Sequence, residues 1–169
     1  PECDVDAADR VDRDPPPADI DQAAVHRVPQ PFNVERVAPE HTAAAQAIVH
    51  ALACTADAVA ARPLSLIHGD CHPDQFWIHQ GRPVLFDFDE FTLGDPMEDL
   101  ASGLVRLTQA GQPAALGQAW VQGYAARAPQ RFDTRSLGWH LTVQSLLQVT
   151  RAFIYQQPGW RKRFEQRLA

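Results

Sequence analysis

The sequence predicts an α+β fold, predominantly helical, with one small hairpin-based strand region. Three observations predict it. Residues 39–62, PEHTAAAQAIVHALACTADAVAAR, are Ala-rich and free of Gly and Pro after their start. Several later segments repeat apolar residues at helical spacing, and strand-type runs occur only between residues 64 and 86. No alternating βαβ pattern accompanies them. At 169 residues the chain is one domain in size, long enough to bury a stable core without a disulfide or metal staple.

Residues 1–21 are acidic and Pro-rich, with Pro15-Pro16-Pro17, and read as a flexible lead-in. Pro29, Pro31 and Pro39 forbid a long helix over 22–39. The helix that follows places Ala44, Ile48, Leu52 and Val59 on one stripe and is stopped by Pro63. Leu64–Ile67 is a short buried-strand candidate, and His68–Gln75 a polar loop. Phe76–His79 and Pro83–Phe86 are strands of a tight hairpin through Gln80-Gly81-Arg82. Asp95-Pro96 opens a helix, Asp as N-cap and Pro at its first position, that ends near Gly111. Residues 113–127 and 134–157 give two more amphipathic helices, and a basic tail, Arg161-Lys162-Arg163, follows Pro158-Gly159.

Charge is uneven. The net charge is −6, but residues 1–21 hold eight acids against two arginines, so residues 22–169 balance at 13 and 13. That acidity argues against a nucleic-acid partner. No apolar run approaches the ~20 residues of a bilayer span, so no membrane role is expected. The acidic start is unlike a signal peptide, and three scattered cysteines, Cys3, Cys54 and Cys71, fit a reducing compartment. A cytoplasmic location is therefore expected.

Functional side chains concentrate in residues 68–99: His68-Gly69-Asp70-Cys71-His72-Pro73-Asp74-Gln75, then Asp87-Phe88-Asp89-Glu90, then Gly94-Asp95-Pro96 and Asp99. An acid placed directly after Val84-Leu85-Phe86 is costly to desolvate, so hydrogen-bond donors or a metal must offset it. Two acidic loops flanking one hairpin must also converge in space. Cys71 with His68 and His72 lacks a recurring ligand pair and does not read as a zinc site.

These motifs, in this order and around this hairpin, resemble the aminoglycoside-phosphotransferase-like small-molecule kinases. The resemblance covers roughly residues 40–160 and implies the C-terminal lobe of a kinase-like fold. In the kinase catalytic loop an Asp meets the substrate hydroxyl, and a side chain five positions on holds Mg²⁺. By that resemblance Asp70 is the catalytic base and Gln75, where the family usually has Asn, binds the metal with Asp87. Asp89 is a further candidate metal ligand. His72 takes the place of the loop cation facing the transferred phosphoryl group, and His68 and Asp99 support the loop structurally. The implied cofactors are ATP and Mg²⁺. The implied acceptor is a hydroxyl on a small molecule such as an aminoglycoside, sugar or amino alcohol.

Such a kinase also needs a nucleotide-binding N-terminal lobe with a glycine-rich loop and a strand lysine. There is no G-x-G-x-x-G, the only lysine is Lys162, beyond all the motifs, and residues 1–39 cannot form a five-stranded lobe. The chain is thus expected to be a C-terminal lobe, with the N-terminal lobe as its missing partner and little kinase activity by itself. Two other readings compete. A kinase-like lobe can serve as a non-catalytic binding module. Alternatively, Asp87-Phe88-Asp89 with Thr92 resembles the opening motif of haloacid-dehalogenase-like phosphatases, although Thr92 falls one residue late.

Overall fold

The computed structural model describes residue 34 and residues 38–155 and 157–168. The acidic lead-in at 1–21 and nearly all of 22–37 lie outside the described residues. A 3-10 turn at Pro39–His41 leads into α1, Thr42–Ala60. The strands are β1 (Ser65–Ile67), β2 (Phe76–His79), β3 (Arg82–Leu85) and β4 (Thr92–Gly94). Four helices follow: α2 (Pro96–Gln109), α3 (Ala114–Arg127), α4 (Thr134–Ile154) and α5 (Trp160–Leu168). Helical predominance and the small strand region agree with the sequence expectation.

The helices pack around α2 and α4. Met97, Leu100 and Ala101 of α2 are buried with Leu137 of α4, and Trp120, Val121 and Tyr124 of α3 close over them. Trp120 donates its indole N–H to the Leu100 carbonyl at 3.1 Å, a partner that a partly buried indole needs. Gly103 and Gly117 let α2 and α3 approach closely. A Cβ at Gly103 would meet the Trp120 ring at 2.5 Å, and one at Gly117 would meet Leu104 at 2.7 Å. On the other side, Leu52 and Val59 of α1 pack against Trp139 and Val143 of α4.

The strands form two separate antiparallel pairs. In the hairpin, Phe76 faces Leu85 and His79 faces Arg82. Its turn is two residues, Gln80 (φ 49°) and Gly81 (φ 74°), so Arg82 belongs to the strand rather than to the turn. Two successive positive φ values match the right-handed twist of the strands. The second pair joins β1 to β4, with Ser65 opposite Gly94 and Ile67 opposite Thr92. β4 lies where the sequence suggested only loop, and α5 where it suggested a basic tail.

Two expectations are corrected here. The 22-residue segment Pro39–Ala60 has a mean hydropathy of 1.4 over its most apolar window, only 17% of which is buried. By length and composition alone it could cross a membrane, so run length does not exclude one. Much of that apolarity is alanine, a helix former. The phosphatase reading requires a parallel sheet with crossover helices, whereas the described strands make only antiparallel pairs.

Candidate active site

The loop from His68 to Gln75 leaves β1 and enters the hairpin, while Asp87 follows β3, so both pieces are anchored at strand ends. α2 holds the first piece. The Asp99 carboxylate accepts from the His68 amide at 2.7 Å and from the Gly69 amide at 2.9 Å. Burial pushes its carboxyl above the usual range, against the downward pull of the His68, Gly69 and Cys71 amides. His68 is buried; its Nε2 lies 2.6 Å from the Phe86 carbonyl, to which it donates, and its ring packs on Phe88. His68 and Asp99 therefore brace the loop, linking it to the start of α2 and to the strand end before Asp87.

Asp70 lies half-exposed at the loop's tip. His72 Nε2 is 3.5 Å from its carboxylate, and His72 Nδ1 is 3.5 Å from that of Asp74. Pro73–Gln75 form a single 3-10 turn that brings Gln75 round toward His72, with Gln75 Nε2 3.4 Å from His72 Nε2. The same amide nitrogen donates to Asp87 Oδ2 at 2.9 Å. Asp87 sits at φ 62°, a left-handed conformation that Asp tolerates better than most residues. Asp70, His72, Gln75 and Asp87 thus form a chain of polar contacts across the two acidic segments. Asp89 is exposed and makes no hydrogen bond or ion pair among the described residues, so the structure does not join it to that chain.

The extra methylene of Gln75, relative to Asn, is used to span the gap to Asp87. With Nε2 directed at Oδ2, Gln75 Oε1 and Asp87 Oδ1 are left without a protein partner among the described residues. One carboxylate and one amide oxygen are hard donors of the kind Mg²⁺ takes when phosphates and water complete its shell. Among the described residues no three His, Cys, Asp or Glu side chains gather into a closed metal cage. The donor set fits Mg²⁺ bound jointly with a nucleotide.

Cys71 separates Asp70 from His72 but points inward. Burial, then Asp99 and Asp70, push its thiol up to about 12. A thiol that stays protonated is a poor nucleophile. Iodoacetamide at pH 8 should therefore modify exposed Cys54 long before Cys71. Peptide mass mapping checks this, and equal rates at the two cysteines would show that the loop is open.

Sequence reasoning missed the support beneath this site. Asp95, expected only as an N-cap, does accept from the Met97 amide at 3.0 Å. It is also fully buried and takes Arg62 Nε at 3.0 Å and Ser136 Oγ at 2.5 Å, with His140 Nε2 3.8 Å away. Arg62 extends the network to Asp133 at 2.9 Å and to the Arg131 carbonyl at 2.8 Å. One carboxylate thus joins the residues following α1 to the starts of α2 and α4. The partners are too far apart in sequence for local pattern to reveal them.

The sequence model of the APH phosphotransferase enzyme family matches residues 4–137, about four fifths of the chain. The match begins well before residue 40, where the motif resemblance began, and takes in most of the acidic segment. No curated protein and no solved structure matches.

Proposed function

The chain belongs to the APH phosphotransferase enzyme family, and from that premise we propose that it carries the catalytic half of an ATP-dependent kinase acting on a small-molecule hydroxyl. The observation that supports this reading best is the 2.9 Å bond between Gln75 and Asp87, with Asp70 and His72 beside it. It brings a base candidate and a pair of metal-ligand candidates into one continuous site.

Asp70 orients the acceptor hydroxyl and takes its proton as the new O–P bond forms. His72 faces the same carboxylate and limits how it can turn. Gln75 and Asp87 would hold Mg²⁺, which supplies charge neutralisation at the donor phosphates when bound. Asp99 and His68 keep the loop in register with Asp87, so that base and metal ligands stay at a constant separation. Positioning of this kind carries much of the catalysis in phosphoryl transfer.

Asp70→Asn, in the enzyme as it is encoded, is expected to lower transfer at least about a hundredfold while leaving the folded state intact. Transfer from radiolabelled ATP and a circular dichroism melt read the two effects. Undiminished turnover would remove Asp70 from the base role.

One observation favours a second reading, a non-catalytic binding module: Lys162, the sole lysine, follows every motif. On either reading the 169-residue chain should bind Mg-ATP weakly, because it supplies no phosphate-pairing lysine ahead of the loop. Phosphoryl transfer by the encoded protein separates the two.

A further inference from the structure

A cleft of about 410 Å³ opens between the last turn of α2, the C-terminal half of α4 and α5. It is distinct from the loop site: Arg106, on its wall, lies two turns along α2 from Asp99, about 10 Å at 1.5 Å per residue. Val149 and Ala152 form an apolar floor, both buried. Arg106, Gln109, Gln148, Arg163 and Gln166 are among the residues lining the walls, and none of the described lining residues is acidic.

The walls carry hydrogen-bonding capacity that the protein leaves unused. Arg106 is only partly exposed, yet among the described residues it has no carboxylate or carbonyl partner. Arg62 lies on Asp95 and Asp133, and Arg161 on Glu40, so neither is available to an outside anion as Arg106 is. Arg163 donates to the neutral Gln157 at 3.3 Å and has no carboxylate partner among the described residues. Glu165, the nearest acid in sequence, lies 3.9 Å from both His41 and Arg161. A partly buried guanidinium facing a concave surface on which no described residue is acidic favours an anion, and its planar fork suits phosphate oxygens in pairs. The glutamine amides offer both donors and acceptors, which suits neighbouring hydroxyls.

We propose that this cleft binds a phosphate monoester of a small polyhydroxy compound, with Arg106 and Arg163 on the phosphate and the glutamines on the hydroxyls. The site does not depend on the phosphotransferase reading, because none of its residues belongs to the loop site.

Calorimetric titration of the 169-residue chain with glycerol 3-phosphate tests it. Saturable binding with Kd near or below about 1 mM is expected, with glycerol itself not binding at the same concentrations. R106Q and R163Q should each weaken binding roughly tenfold without shifting the melting temperature. Having two variants on different helices keeps the test valid if one misfolds. Absence of saturable binding, or binding unchanged in both variants, would overturn the proposal. Succinate binding as tightly as the ester, with the same arginine dependence, would overturn the phosphate assignment in favour of a general dianion cleft. Loss of binding in the variants together with discrimination against succinate would establish it.

Discussion

Asp95→Ala is expected to destabilise the fold by about 3–5 kcal/mol, the cost of breaking a buried ion pair from one side. The substitution takes from Arg62 its buried carboxylate, leaving it Asp133 and the Arg131 carbonyl, removes the acceptor of the Ser136 hydroxyl and uncaps α2 at the Met97 amide. Domains of this size are stable by only about 5–15 kcal/mol, so the variant should be near its unfolding threshold at physiological temperature. Urea unfolding of wild type and variant measures the difference. A loss under about 1 kcal/mol would mean that the network contributes little beyond the cap.

The same carboxylate predicts how acid acts. Burial alone would raise the Asp95 pKa, but the His140 ring, the Ser136 hydroxyl and the Met97 amide outweigh burial and hold it at about 2, against an ordinary 3.8. A carboxyl held below its ordinary value stabilises the fold above that value. The contribution, about 2 kcal/mol, is lost as pH falls from about 4 through 2. Wild type should therefore lose stability over that window, and Asp95→Ala, lacking the group, should lose correspondingly less.

Gly69→Ala is the second large effect. Gly69 holds φ at +85°, and a Cβ there would come within 2.2 Å of the Glu90 carbonyl oxygen. Backbone cannot yield as a flexible side chain can. The loop would have to move away from the 86–91 segment, disturbing the amides that Asp99 binds. A loss of about 2–4 kcal/mol is expected from strain and displacement together, and any transfer activity should fall with it. Because Cys71 lies two residues on, its alkylation rate gives a local readout. A variant as stable as wild type, with Cys71 still protected, would show that the close approach to Glu90 is not needed.

The gathering of the candidate-site residues was legible in the sequence because they fall within one short stretch, His68 to Asp99, punctuated by a hairpin. Asp99 and His68 were legible as supports, and the structure shows what they hold. What was hidden depends on distance or on brevity. β4 is three residues long, Thr92-Leu93-Gly94, and becomes a strand only because Ser65–Ile67 lies opposite it. α5 is only nine residues long and opens on Arg161-Lys162-Arg163, and that basic run masked the four-residue recurrence of Trp160, Phe164 and Leu168; Arg161, read as part of a tail, instead pairs with Glu40 at 2.5 Å. Asp95 carried its cap in its immediate neighbours, while its other partners stand 33 and 41 residues away. Asp89, whose type suggested a ligand, is exposed and has no polar partner among the described residues.

The pairing of β1 with β4 has a consequence for cooperativity. It ties residue 67 to residue 92, so everything from His68 to Phe91 hangs between one pair of short strands. Asp70, Gln75 and Asp87 therefore belong to a single excursion that opens or stays shut as a unit. Amide exchange across the loop and the hairpin should share one opening free energy, and the placement of Asp70, Gln75 and Asp87 would be gained or lost together.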